Sequence, residues 1–148
     1  MFLMPDQQLG RCDRVMQQRI EPHIYETLAH CTLRACANPG EPEPSTDAIR
    51  RIRAGAMDFE PFEIGGQWGT TWGTTWFKLS GQVPEGKPDG RPLELWIDLG
   101  WYDHSCGGHI EGLVYRADGT AIKAVHPLNH WIPLIAVDGA GMPSTRSP

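Results

Sequence analysis

The sequence predicts a mainly β chain, an antiparallel β-sandwich of jelly-roll type preceded by a short N-terminal helical segment. Three observations predict it. From Phe59 onward, apolar and polar side chains alternate in several separate stretches, with the period of a strand. The 17 glycines and 13 prolines of the 148 residues break those stretches at short intervals, which favours turns and strands over long helices. Asp118-Gly119, a hairpin dipeptide, separates two of the alternating stretches.

Residues 6–30 carry a helical pattern. Asp6 is the candidate N-cap, and Leu9, Cys12, Met16 and Ile20 recur at helical spacing. Pro22 interrupts this pattern, and His23 to Leu33 reads as either further helix or a strand. Asn38 to Ser45 holds Pro39, Gly40, Pro42 and Pro44 and reads as a loop. Asp47 to Ala56 reads as a short basic helix with Arg50, Arg51 and Arg53 exposed. Residues 1–58 are thus expected to be helical or irregular, residues 59–137 to form the sandwich core, and residues 138–148 to be a disordered tail rich in Gly, Ala, Ser and Pro.

Within the core, Trp76 to Val83 alternates. Trp76, Lys78, Ser80 and Gln82 fall on one side, and Phe77, Leu79, Gly81 and Val83 on the other. Pro84 to Arg91 is a loop. Leu93, Leu95, Ile97 and Leu99 mark a strand from Pro92 to Gly100. Ile110 to Arg116 and Thr120 to Val125 flank Asp118-Gly119 as a hairpin, and Trp131 to Val137 is the last strand.

The run Trp68-Gly-Thr-Thr-Trp72-Gly-Thr-Thr-Trp76-Phe77 is the most distinctive stretch. A four-residue spacing would align the tryptophans on a helix, but glycines and β-branched threonines between them oppose helix formation. The run reads as a turn or loop feeding a strand that begins near Thr74. Trp68, Trp72, Trp76 and Phe77 are therefore candidates for a sugar-binding or inter-domain surface, or for the edge of the core.

Composition narrows the function. A net charge of -5 opposes nucleic-acid binding, which needs a basic face. No apolar run approaches the roughly 20 residues of a membrane span, so no membrane partner is expected. The N-terminus has no basic start and no long apolar stretch, so a cytoplasmic location is expected. There Cys12, Cys31, Cys36 and Cys106 stay reduced.

An ordered series of blocks carries a resemblance. It runs from Trp68–Phe77 through Gly81-Gln-Val-Pro84, Ile97-Asp-Leu-Gly100, Glu111-Gly-Leu-Val-Tyr115 and Asp118-Gly119 to Lys123-Ala-Val-His-Pro-Leu-Asn129. Over about residues 12–135 the chain resembles the N-terminal β-sandwich region of the cytosolic-type α-mannosidases of glycoside hydrolase family 38. The resemblance implies retaining hydrolysis of terminal α-mannosyl linkages by a catalytic barrel that follows the sandwich. That barrel supplies an aspartate nucleophile, an acid/base carboxylate and a zinc ion held by His and Asp. It implies mannose-containing glycans and the barrel itself as partners, and an assembly into homo-oligomers.

The family's zinc signature opens His-x-Asp, and no His-x-Asp occurs in this sequence. The chain reads as cut short of the barrel, so no catalytic residue and no cofactor are expected in it. The other class considered is a free-standing carbohydrate-binding module.

Three further groups have the residue types of a site, and each has a plainer reading. His104, Cys106 and His109 have the residue types of a metal site, with His126 or His130 as a distant fourth ligand. The plainer reading is a polar loop between strands. Cys106 beside those histidines has the types of a nucleophile–base pair, without an orienting third group. Asp98, Asp103 and Glu111 have the types of a glycosidase carboxylate pair, and equally those of the outer face of a sandwich.

Overall fold

The computed structural model describes residues 5–38, 40–85, 91–101 and 110–134. The chain divides after His30 into two compact units. The first holds helix α1, Pro5–Val15, which runs on through a π-helical turn, Met16–Ile20, to a 3-10 turn at Glu21–His23. Pro22 sits at the start of that last turn, where its missing N–H and fixed φ are tolerated. Because the helix already includes Pro5, Asp6 lies inside it and is not its N-cap. Leu9, Met16 and Ile20 of the apolar stripe are all exposed, Leu9 by 64%.

The second unit is built of antiparallel strands. Its strands are β1 (Thr32–Asn38), β2 (Glu60–Phe62), β3 (Thr74–Ser80), β4 (Glu94–Trp96), β5 (Gly112–Tyr115), β6 (Ala121–Val125) and β7 (Trp131–Pro133). Among the described residues they form a three-stranded sheet in the order β2-β1-β3 and two pairs, β4-β7 and β5-β6. This is the mainly β, antiparallel architecture that alternation and turn chemistry predict.

The middle strand of the three-stranded sheet, β1, comes from residues ahead of Phe59, where the pattern reads as helical or irregular chain. It pairs with β2 on one side and with β3 on the other, Thr32↔Ser80 through Asn38↔Thr74. Its apolar positions are Leu33, Ala35 and Ala37, two of them too small to mark a strand by themselves. Arg34 ties β1 to the residue ahead of β2, donating from Nε (3.0 Å) and Nη2 to the Phe59 carbonyl.

Helix α2, Ser45–Arg53, starts two residues earlier than the sequence predicts and stops three earlier. The stop is physical. Gly55, at φ +70, lets its own N–H reach the Ile52 carbonyl (3.1 Å) and the Ala56 N–H reach Arg51 (2.9 Å), a Schellman cap. Arg50, Arg51 and Arg53 are exposed. Arg51 pairs with Glu43 at 2.8 Å, and Arg53 donates to the Asp118 carbonyl (3.1 Å), which fixes α2 to the β5–β6 turn.

The hairpin matches its prediction. Arg116 N–H bonds Thr120 O and Gly119 N–H bonds Arg116 O, both at 2.9 Å. Gly119 holds φ +93, a conformation other residues resist. Strands β4 and β7 are shorter than expected. After Ile97, the Asp98 carboxylate accepts the Gly100 N–H (2.8 Å) and Gly100 turns to φ +86, which ends the strand. Residues beyond Leu134 lie outside the described set, and so do the expected end of β7 at Val137 and the tail of 138–148.

The core is compact and small. The buried apolar residues among those described are Ala48, Met57, Phe59, Val125 and Ile132. Val125 on β6 and Ile132 on β7 are each 2% exposed. Ile132 pairs with Leu95 across β4-β7, so that pair turns its apolar side inward.

Candidate functional site

The tryptophan run is a turn feeding a strand, and it sends its rings to three different places. Gly69 holds φ +80, and Gly73 N–H closes a turn on the Thr70 carbonyl (2.8 Å). A Cβ on Gly73 would lie 2.4 Å from Thr70 Oγ1 and 3.1 Å from the Thr70 carbonyl oxygen, so a larger residue there would have to turn the Thr70 side chain aside. Strand β3 then begins at Thr74. The backbone reverses between the tryptophans, so the four-residue spacing does not put them on one face.

Trp68 meets Phe77 edge-on, with centroids 5.1 Å apart, and Phe77 meets Phe62 at 5.3 Å. Trp76, the neighbour of Phe77 in an extended strand, points to the other face. It packs against Tyr115 of the hairpin at 5.9 Å. Its indole nitrogen is buried with no hydrogen-bond partner. Trp72 does neither: it is 88% exposed and its backbone sits at φ 60. This left-handed conformation costs a bulky residue about 1–2 kcal/mol. Of the four candidates, Trp68, Trp76 and Phe77 join the packing, and only Trp72 is presented to solvent.

A second aromatic group escapes the sequence pattern. Trp96 and Trp131 are register partners in β4 and β7. The His130 ring lies 4.3 Å from Trp96, stacks on Trp101 at 5.8 Å and 20°, and meets Trp131 edge-on at 6.1 Å. Trp101 is anchored by its indole N–H, which donates to the Ile110 carbonyl (2.9 Å). Lys123 stands over the Trp131 ring at 4.5 Å and donates to the Trp131 carbonyl (2.7 Å). The His130 Nδ1 is buried with no partner. Only the long-range pairing of β4 with β7 brings these residues together, and no local spacing announces it.

Two of the described carboxylates, Asp98 and Asp118, serve turns. Asp98 is committed to the Gly100 N–H. Asp118 accepts the Thr120 N–H at 2.8 Å. That bond, with Thr120's side chain and the nearby Arg116 and Arg53, holds its carboxyl below the usual range despite slight desolvation. A lowered carboxylate suits a turn cap; a glycosidase acid needs the opposite shift. Glu111 is exposed just ahead of β5, and Asp103 lies outside the described residues.

The metal candidates His104, Cys106 and His109 also lie outside the described residues. The two histidines weighed as a further ligand are engaged otherwise. His126 Nδ1 accepts the Leu128 N–H (3.3 Å), and His130 is packed among indoles. Among the described residues, no three His, Cys, Asp or Glu gather as metal ligands would. Cys12, Cys31 and Cys36 are free thiols.

Residues 29–141 match the family model described as the alpha-mannosidase jelly roll domain. The match begins two residues ahead of the strand-built unit, which starts at Cys31. No curated protein matches the chain.

Proposed function

The chain belongs to the alpha-mannosidase jelly roll domain family, and from that premise we propose that it is the N-terminal accessory lobe of a cytosolic-type α-mannosidase of glycoside hydrolase family 38. In this reading, hydrolysis of terminal α-mannosyl linkages in mannose-containing glycans belongs to a catalytic barrel outside these 148 residues. The lobe packs on that barrel and shapes the rim of its active site, in the cytoplasm.

The family match carries the reading. The distribution of apolar surface supports it. Trp72, Leu79, Trp96, Leu113 and Leu134 are each at least 40% exposed, while the buried core is short. Large apolar anchors on a surface are what a neighbouring domain covers. Zinc, when a family enzyme binds it, polarises substrate hydroxyls as a Lewis acid. The described residues do not gather into a ligand set for it, so no step of the reaction is assigned to them.

The test is an assay of the purified chain with an aryl α-mannoside and added zinc. No turnover is expected, and zinc-dependent hydrolysis by this chain would overturn the reading. A second reading, a free-standing carbohydrate-binding module, is favoured by Trp72 and by the indoles around His130, since sugars stack on aromatic faces. Titration calorimetry with mannose separates the two. Heat that disappears in Trp72→Ala or Trp96→Ala supports the binding module, and absence of heat supports the accessory lobe.

A further inference from the structure

The helical unit ends at His30, so nearly all of it precedes the matched residues 29–141. It carries a groove of about 270 Å³, lined by Arg11, Arg14, Val15, Gln18 and Arg19. Arg11, Arg14, Val15 and Gln18 follow at spacings of three and four, so they share one helix face. Arg19 joins them for another reason. In an unbroken α-helix it would stand about 80° around the axis from Arg11. The turn Met16–Ile20 is π-helical, and a π turn takes more residues than an α turn. It advances less per residue and so brings Arg19 back toward Arg11 and Val15. Arg14 lies back over Gly10, where a Cβ would be 3.8 Å from its Nη1.

These three arginines are exposed, and among the described residues no carboxylate pairs with them. The ion pairs there are Arg50–Asp47 and Arg51–Glu43. Like charges that close on a helix repel, and an anion set between them removes the repulsion. A guanidinium gives two parallel N–H bonds to a phosphate. Three such forks and the Gln18 amide suit a diphosphate, which offers more charge and more acceptor oxygens than one phosphate. The groove is just under the roughly 300–1,000 Å³ of small-molecule pockets. The chain's net charge of -5 opposes a nucleic acid. The helix itself opposes a membrane. Leu9 and Met16, both exposed, lie on its far side by their spacing, so arginines set on lipid phosphates would hold them away from the lipid.

We propose that Arg11, Arg14, Gln18 and Arg19 form a binding site for a small soluble anion that carries a diphosphate group, with the π-helical turn gathering the third guanidinium.

The test is titration calorimetry of the full chain with inorganic pyrophosphate. Saturable one-to-one binding is expected. Arg14→Gln removes a charge-assisted contact and should weaken it at least about tenfold. Circular dichroism and melting should not change, because the side chain is exposed. Arg19→Gln combined with Gln17→Arg keeps the net charge but takes one guanidinium out of the groove, since Gln17 does not line it. It should weaken binding as much as Arg19→Gln alone. Full binding by that double variant would show attraction to charge without a site and would overturn the proposal, and so would the absence of saturable heat from the unaltered chain. Vesicles of phosphatidylcholine and phosphatidylserine should leave the chain in solution. Retention on them that Arg14→Gln abolishes would overturn the proposal in favour of a lipid surface.

Discussion

Three glycines separate backbone strain from steric overlap, and their alanine variants test the packing of this domain quantitatively. Gly112 opens β5 opposite Val125. A Cβ there would sit 2.8 Å from Val125 Cγ2 and 3.1 Å from Leu99 Cδ1, and Val125 is 2% exposed with no room to yield. Gly112 is not left-handed, so alanine brings overlap without strain. Overpacking costs about 1–3 kcal/mol, and the reduced freedom of the unfolded chain returns about 0.4–1 kcal/mol. Gly112→Ala should therefore lose about 1–2 kcal/mol. Gly55 is the converse: φ is +70 and nothing lies within 4 Å of its Cβ position, so Gly55→Ala should lose about 1 kcal/mol from strain alone. Gly119 has both faults, with φ +93 and Ile49 Cγ2 at 2.8 Å, and Gly119→Ala should lose about 2–4 kcal/mol. Urea titration reads these losses. With a slope of about 1–3 kcal/mol per molar, the Gly112→Ala midpoint should fall by roughly 0.3–2 M. An unchanged or raised midpoint would refute the account of β5 against β6, and a ranking with Gly55→Ala worst would refute the whole series.

The tryptophans should separate in the same assay. Trp76→Ala, half-buried against Tyr115, should cost about 2–4 kcal/mol. Trp72→Ala should cost under about 1 kcal/mol, and Trp72→Gly should be neutral or stabilising because it relieves φ 60; a large loss at Trp72 would contradict its exposure. Asp118 gives a pH prediction. Its carboxyl is lowered in the folded state, so its contribution is present above the ordinary carboxylate value and lost as pH falls through the lowered one. A carbon-detected NMR titration should place its midpoint below that of Asp118 in the urea-unfolded chain, and a midpoint at or above it would remove the Thr120 cap from the account.

How much of this was legible in the sequence depends on the range of each interaction. Strand β3 and the β5–β6 hairpin are read from alternation and from Asp118-Gly119, because those signals lie within a few residues of one another. Gly55 is visible too, although the pattern carries α2 past it to Ala56. Strand β1 is not legible, because Leu33, Ala35 and Ala37 become a strand through partners on both sides, Phe62 to Glu60 and Ser80 to Thr74. The grouping of Trp96, Trp101 and Trp131 around His130 needs β4 to find β7 first. The tryptophan run is read correctly as a turn into a strand, but not the divergence of its rings, which follows from the local backbone at Gly69, Trp72 and Gly73.

That divergence bears on what the run is for. Trp76 and Phe77 are adjacent in β3 and lie on opposite faces, yet each meets aromatic rings, Tyr115 on one side and Phe62 with Trp68 on the other. The sheet is therefore packed on both faces at Trp76 and Phe77. Even its polar-looking face uses charge to cover rings, with Lys78 over Phe59 and Arg34 on the Phe59 carbonyl. Every aromatic residue of the run except Trp72 is thus used for internal packing. Trp72 sits in a strained conformation and stays 88% exposed. Strain of this kind persists where the surroundings impose it, most often at sites of contact. Its ring contributes little within the domain, so the accessory-lobe reading and the binding-module reading each predict that a Trp72→Ala change leaves stability nearly intact and acts only on contacts made outside the domain.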